Sequence, residues 1–161
     1  GGGNTQLFFP PTATENTSVG PIPIMGTISR ASALLLDAEN TWSYWSFQLP
    51  SNVASVVSVH LVWATVGNFA SKDMSFNIQV SQVNEDESSE GGDTDSIAQA
   101  AYTSSSTNKG ETHSDISAGF NGITYAVGET VGMGMKRFGA AAADTVDGNV
   151  RIYGLQVIIT T

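Results

Sequence analysis

Apolar and polar residues alternate along several segments of this chain, most clearly in two segments near its C-terminus, 130–138 and 149–160. The shared apolar face holds Val131, Met133 and Met135 in the first segment, and Tyr153, Leu155, Val157 and Ile159 in the second. A period of two residues is the signature of a β-strand. We therefore predict two strands joined as a closing β-hairpin, with the second strand inside a sheet.

Two earlier segments show the same period, and both are rich in aromatic or β-branched residues. In segment 41–49 the predicted core face carries Ser43, Trp45, Phe47 and Leu49, whereas Trp42 and Tyr44 fall on the opposite face. In segment 55–65 the predicted core face carries Val57, Val59, Leu61 and Trp63. Its other face, with Val56, Ser58, His60, Val62 and Ala64, is half apolar, which is unusual for a solvated face. We expect a second layer or a second subunit to cover it.

The fold class follows from the number and spacing of such segments. We count roughly seven to nine short strands at intervals of about ten residues, and no amphipathic helix of useful length. This pattern predicts an all-β protein, an antiparallel two-sheet β-sandwich that is jelly-roll-like.

Residues 1–30 are predicted to be an N-terminal extended arm and residues 31–161 the β-sandwich domain. The apolar hook Leu7-Phe8-Phe9 in the arm is expected to pack onto the body or a neighbouring subunit.

Charge and composition exclude several classes of partner. Six basic and fifteen acidic residues give a net charge of −9. Nucleic-acid binding depends on Lys and Arg that displace counterions from phosphates, so DNA and RNA are unfavourable partners. The chain has no cysteine, which excludes disulfides and thiolate metal sites. No run of about 18 apolar residues occurs, and membrane insertion is therefore not expected.

The residue types of a hydrolase triad occur together at His113-Ser114-Asp115. Neighbours on a strand point to opposite faces, whereas a catalytic triad is built from residues distant in sequence. The chain also lacks the Gly-x-Ser-x-Gly nucleophile elbow. We therefore expect no enzymatic activity. His60, in the middle of a strand, is expected to be a hydrogen-bonded structural residue.

The segment 84–96 is acidic and contains no large apolar residue, which predicts a solvated surface loop. Its carboxylates are Glu85, Asp86, Glu87, Glu90, Asp93 and Asp95. Ca²⁺ prefers such oxygen ligands, but their spacing matches neither an EF-hand loop nor a calcium-binding glycine repeat. A solvated loop is the favoured interpretation, Ca²⁺ binding is the alternative, and no other cofactor is predicted.

Two structural hypotheses concern residues on the predicted strands. Trp42 and Tyr44 could form a platform on which a sugar stacks, or be buried at a subunit contact, which we favour. The full predicted interaction surface comprises Leu7, Phe8, Phe9, Trp42, Tyr44, Val56, His60 and Val62. Arg137 and Asp144 flank the loop of the predicted hairpin, and we expect an ion pair between them to brace that loop.

Several fold-defining residues occur in an order seen in one family. They are Trp45-Ser-Phe-Gln-Leu-Pro50, then Met135-Lys-Arg137 and Asp144-Thr145, and finally Gly154-Leu-Gln-Val-Ile-Ile159. Over residues 41–161 the chain resembles a β-sandwich domain of tailed-phage virion structural proteins. The resemblance implies a non-enzymatic virion component on the outer surface of the particle.

Within that family a capsid decoration (cement) protein is the leading expectation, since the chain is short for a shell subunit and its acidity disfavours a position facing packaged DNA. The alternative is a tail-fibre or receptor-binding domain that recognises host glycans. Both types usually form symmetric homo-oligomers, often trimers, so the implied partners are further copies of the chain and other virion proteins.

Overall fold

The structure is a computed structural model, and it describes residues 3–15, 23–25, 31–35, 40–83, 92–125 and 129–161. These residues form eleven β-strands and one short 3₁₀ helix. The strands are β1 (Asn4–Phe9), β2 (Ala13–Glu15), β3 (Pro23–Met25), β4 (Ala31–Leu35), β5 (Asn40–Gln48), β6 (Ser55–Thr65), β7 (Asp73–Val83), β8 (Thr94–Thr103), β9 (Thr112–Asp115), β10 (Thr130–Phe138) and β11 (Val150–Thr160), and the 3₁₀ helix is Ser117–Phe120.

The strands form two antiparallel sheets that pack face to face, which confirms the predicted all-β sandwich. The six-stranded sheet has the order β3-β4-β11-β6-β9, with β1 also paired to β11. The five-stranded sheet has the order β2-β5-β10-β7-β8. Without the three N-terminal strands, the sheets reduce to β4-β11-β6-β9 and β5-β10-β7-β8. That order is the one found in jelly rolls, in which the chain passes repeatedly from one sheet to the other.

The core lies between the sheets and is built from the inward faces of the long strands. On β5 and directly after it, the predicted inward residues Trp45, Phe47 and Leu49 are buried. Alternation places them on one face because successive side chains of a strand point to opposite sides of the sheet. Trp63 of β6 is completely buried, and its indole nitrogen donates a hydrogen bond to Ser114 Oγ at 2.9 Å. The polar end of this large side chain is therefore satisfied inside the core.

The predicted closing hairpin is wrong, because its two strands belong to different sheets. β10 pairs with β5 and β7, whereas β11 pairs with β1, β4 and β6. Each strand has one apolar face, and the two faces meet across the core instead of lying side by side. Period-two alternation is equally compatible with both arrangements. The segment 139–149 therefore crosses between the sheets.

A β-bulge in β6 reverses the predicted orientation of its first residues. Ile158 pairs with Ser58 and Ile159 pairs with Val56, so Val57 is an extra residue without a partner in β11. Such an insertion shifts the alternation by one position. Val57 is 49% exposed rather than in the core, and Val56 packs against the core instead. The prediction that Val57 is a core residue is wrong for this reason.

A second bulge lies in β11 at Tyr153. Ile152 pairs with Trp63 and Gly154 with Val62, which leaves Tyr153 unpaired. Ile152 therefore enters the main core, whereas Tyr153 joins Val62 and Ala64 in a separate buried cluster. Gly154 has φ +154°, and a Cβ at this position would lie 2.5 Å from the carbonyl oxygen of Phe9. Only glycine allows β1 to approach β11 this closely.

The predicted N-terminal arm contributes strands to both sheets. β1 pairs with β11, β2 with β5, and β3 with β4, where it forms the edge of the six-stranded sheet. Phe9 stacks on Phe47 with 4.3 Å between ring centroids, and its carbonyl oxygen accepts a hydrogen bond from Trp45 Nε1 at 3.1 Å. Segment 112–123 contains β9 and the 3₁₀ helix. Within the described residues, no helix is long and apolar enough to span a bilayer.

Candidate functional site

A groove of about 790 Å³ crosses the outer face of the five-stranded sheet. One wall is formed by Trp42 and Tyr44 of β5, and the floor by Gly132 and Gly134 of β10. The opposite wall carries polar side chains from the next two strands, which are Gln79, Ser81, Thr94 and Ser96. The volume lies within the range of about 300–1,000 Å³ that is typical of small-molecule sites.

The strand register explains why these residues meet. Tyr44 pairs with Gly134, Gly134 with Gln79, and Gln79 with Ser96, so the four residues form one row across β5, β10, β7 and β8. A parallel row runs through Ser46, Gly132, Ser81 and Thr94. Every residue of the two rows lies on the outer face because the alternate residues fill the core.

The aromatic wall is a packed pair of rings. The Trp42 and Tyr44 centroids are 5.8 Å apart, and the ring planes differ by 9°. Both rings lean over Gly134, where an added Cβ would lie 3.2 Å from Trp42 Cζ3 and 3.5 Å from Tyr44 Cε1. Lys136 Nζ lies 5.6 Å from the Trp42 centroid, a cation–π distance that helps to hold the indole in place. Both aromatic side chains are only half-buried.

The floor is open because β10 places glycine outward at two successive outer positions. A Cβ at Gly132 would have Ser81 Oγ as its nearest neighbour, at 3.4 Å, which is an ordinary contact distance. The backbone itself is therefore the surface that a ligand meets. The glycines were visible in the sequence as the outer face of a predicted strand, but we did not recognise them as the floor of a groove.

Asp95 lies behind the far wall, on the inner face of β8, and fastens a neighbouring loop to that strand. Its Oδ2 accepts a hydrogen bond from the Gly122 backbone N–H at 2.7 Å, and its Oδ1 accepts one from the Ser96 N–H at 2.8 Å. These bonds, that from Gly122 above all, lower the pKa of the Asp95 carboxyl below its usual value. The group is thus an anionic acceptor at neutral pH. Asp93 Oδ2 similarly accepts from the Thr124 N–H at 2.9 Å.

These contacts bear on the acidic segment 84–96, predicted to be a solvated loop with Ca²⁺ binding as the alternative. Glu85, Asp86, Glu87 and Glu90 lie outside the described residues. Asp93 and Asp95 are described, and both bind backbone N–H groups of segment 121–124. Across the ranges that the structure describes, no group of three or more His, Asp or Glu side chains is placed to hold a metal ion.

The three residues considered as a catalytic triad have separate partners. His113 Nε2 lies 2.8 Å from Glu111 Oε1. Ser114 Oγ is buried and accepts the Trp63 hydrogen bond described above. Asp115 Oδ1 accepts hydrogen bonds from the Ser117 hydroxyl at 2.6 Å and its backbone N–H at 2.9 Å, which together lower the pKa of Asp115. His113, Ser114 and Asp115 make no hydrogen bond to one another.

Arg137 and Asp144 form a fully buried ion pair, with both side chains at 0% exposure. Arg137 Nε donates to Asp144 Oδ2 at 2.9 Å, and Nη2 donates to Oδ1 at 2.9 Å. The guanidinium also donates to the carbonyl oxygens of Val146 and Gly148, at 2.9 and 2.8 Å. The pair holds the segment that crosses between the sheets, rather than the turn of a hairpin, so its role is structural.

The predicted interaction surface is divided between several environments. Trp42 and Tyr44 line the groove, whereas Phe8 is 47% exposed on the other sheet. Leu7, Phe9 and Val56 pack against the core, and Val62 is 2% exposed. His60 is half-buried, and its Nδ1 has no hydrogen-bond partner among the described residues. Much of the apolar area expected at a subunit contact is therefore already used within one chain.

The chain matches no protein-family profile and no curated protein sequence.

Proposed function

We propose that this protein is a non-enzymatic component of a virion surface that binds carbohydrate in the groove, as a tail-fibre or receptor-binding domain does with host glycans. The observation that supports this function is the combination of a half-exposed aromatic pair, a glycine floor and a wall of amide and hydroxyl groups. A sugar ring presents C–H groups that pack on an aromatic surface and hydroxyls that need hydrogen-bond partners. The groove offers both on facing walls.

The virion assignment rests on the resemblance of residues 41–161 to tailed-phage structural proteins. A jelly roll is compatible with it, because this fold serves in viral capsid and in lectin domains, although a fold by itself does not determine a function. The net charge of −9 is also compatible with a position on the outside of a particle, away from packaged nucleic acid.

The test is an array of neutral and acidic glycans, probed with the wild-type protein and with Trp42→Ala. We expect discrete hits for the wild type and at least a tenfold loss of affinity for Trp42→Ala, because the substitution removes half of the aromatic wall. Phe8→Ala is the matched control, since it removes an exposed aromatic ring from the opposite sheet. An array without hits, or equal losses for both variants, would contradict glycan binding in the groove.

A capsid decoration (cement) protein is the second candidate. Phe8 and Val57 are the exposed large hydrophobic residues of the described chain, and both belong to the six-stranded sheet, away from the groove. Exposed apolar side chains of this kind favour contact with another copy or with a shell.

For this candidate we expect a homo-oligomer in solution, with a trimer favoured. Light scattering should give a multiple of the 16.8 kDa chain mass, and the Phe8→Ser/Val57→Ser double variant should shift the protein towards monomer. Trp42→Ala, on the other face, should leave the mass unchanged. A wild-type monomer that also fails to bind the source particles would exclude this candidate.

A further inference from the structure

We infer that the groove accepts a neutral, linear oligosaccharide laid across the strands, and not a single sugar ring. This inference rests on the proposed carbohydrate-binding function and specifies its ligand. It follows from the distance between the two walls, from the bare floor that joins them, and from the charges around the groove.

The aromatic rings and the most distant hydrogen-bonding groups lie at opposite ends of the groove. The aromatic pair is on β5, and the most distant polar groups, Thr94 and Ser96, are on β8. Three strand spacings separate β5 from β8, a distance of about 14 Å. A pyranose ring is about as wide as one strand spacing, so one ring cannot contact both walls. A chain of rings can lie on Tyr44 at one end and reach the Ser96 hydroxyl at the other.

The floor allows such a chain to continue from wall to wall. Gly132 and Gly134 lie between the aromatic pair and the polar side chains of β7 in the two rows described above. Any larger side chain at Gly132 would rise above the backbone in the middle of the groove. Because a Cβ there meets nothing closer than 3.4 Å, the local packing would tolerate one. Packing therefore does not require glycine at position 132, and the effect of this glycine is to keep the floor of the groove open.

The charges favour a neutral ligand. The Asp95 carboxylate lies behind the far wall, on the inner face of β8 and bonded to the Gly122 N–H, where its charge repels an anionic sugar without contacting the ligand. Lys136 lies beside the aromatic wall, and its Nζ is over the rings of Trp42 and Phe138, at 5.6 and 5.1 Å from their centroids. The net charge of −9 adds long-range repulsion of polyanionic glycans.

The experiment measures affinities for neutral linear glycans of one to four residues, built from glucose, galactose, mannose or N-acetylglucosamine. We expect affinity of the wild type to rise with length up to about three residues, the span of three strand spacings. The double variant Gln79→Ala/Ser96→Ala should lose about tenfold on the longer glycans, which corresponds to two hydrogen bonds, and little on the shortest. Gln6→Ala, an exposed glutamine on the other sheet, is the control.

A second variant tests the floor directly. Gly132→Val adds a β-branched side chain that suits a strand but obstructs the groove, so it should abolish binding of the longer glycans while the melting temperature is retained. Equal affinity for glycans of one and three sugar residues would overturn the inference, and so would unchanged binding by both Gln79→Ala/Ser96→Ala and Gly132→Val. The proposed function would remain intact, provided that Trp42→Ala still weakens binding. Hits restricted to acidic glycans would also overturn it. Absence of any glycan binding by the wild type would overturn both.

Discussion

Arg137 is a charged residue buried at 0% exposure, and its surroundings explain how the protein tolerates that burial. The guanidinium donates to both oxygens of Asp144 and to two backbone carbonyls, so the charge is paired and its donors are used. Asp144 Oδ2 also accepts a hydrogen bond from the Ser75 backbone N–H at 3.0 Å. The sequence indicated this pair because two opposite charges flank one loop, but alternation alone gives no measure of their burial.

Removing one partner of this pair leaves an uncompensated charge in the core. We expect Asp144→Ala to lower the free energy of unfolding by about 3–5 kcal/mol, the usual result of breaking a buried ion pair. Chemical denaturation followed by tryptophan fluorescence measures the change. Asp147→Ala removes the same charge from an exposed position three residues away and should have little effect. Equal stability of wild type and Asp144→Ala would show that the pair is not needed.

At the scale of single strands, the positions of the two bulges decide which side chains enter the core. An extra residue at Val57 exchanges the roles of Val56 and Val57, and an extra residue at Tyr153 brings both Ile152 and Leu155 inward. Strict alternation therefore places Val57 in the core instead of Val56, and Tyr153 instead of Ile152. The rest of β6, including Val59, Leu61 and Trp63, was assigned correctly because it lies beyond the bulge.

Because of the bulge in β6, we expect the opposite effects of substitution at Val56 and Val57 on stability from those that simple alternation predicts. Val56→Ala should cost about 1–2 kcal/mol, since Val56 packs near Phe47 and Val157 in the core. Val57→Ala, at the neighbouring exposed position, should change stability by no more than about 0.5 kcal/mol. Thermal or urea unfolding of the two variants under identical conditions shows which substitution lowers stability more. A larger loss for Val57→Ala than for Val56→Ala would place the bulge elsewhere.

At the scale of the whole molecule, alternation was enough to predict the fold class but not the partner of each strand. β10 and β11 are adjacent in sequence and complementary in pattern, yet they face each other across the core. Pairing depends on contacts between residues far apart in the chain, which a periodic pattern does not encode. For the same reason the sequence indicated Trp42 and Tyr44 as exposed aromatics but gave no sign that Gln79 and Ser96 would complete a groove with them.

The position of β11 in the sheet order has a consequence for biosynthesis. The last strand of the chain lies at the centre of the six-stranded sheet and pairs with β1, β4 and β6. On the ribosome, those three strands therefore lack their shared neighbour until β11 emerges, although β4 can already pair with β3 and β6 with β9. Folding must then close long loops, a slow step in proteins dominated by non-local pairing. A nascent chain released before Val150 would expose the edges of β1, β4 and β6 together, which makes premature termination a route to aggregation.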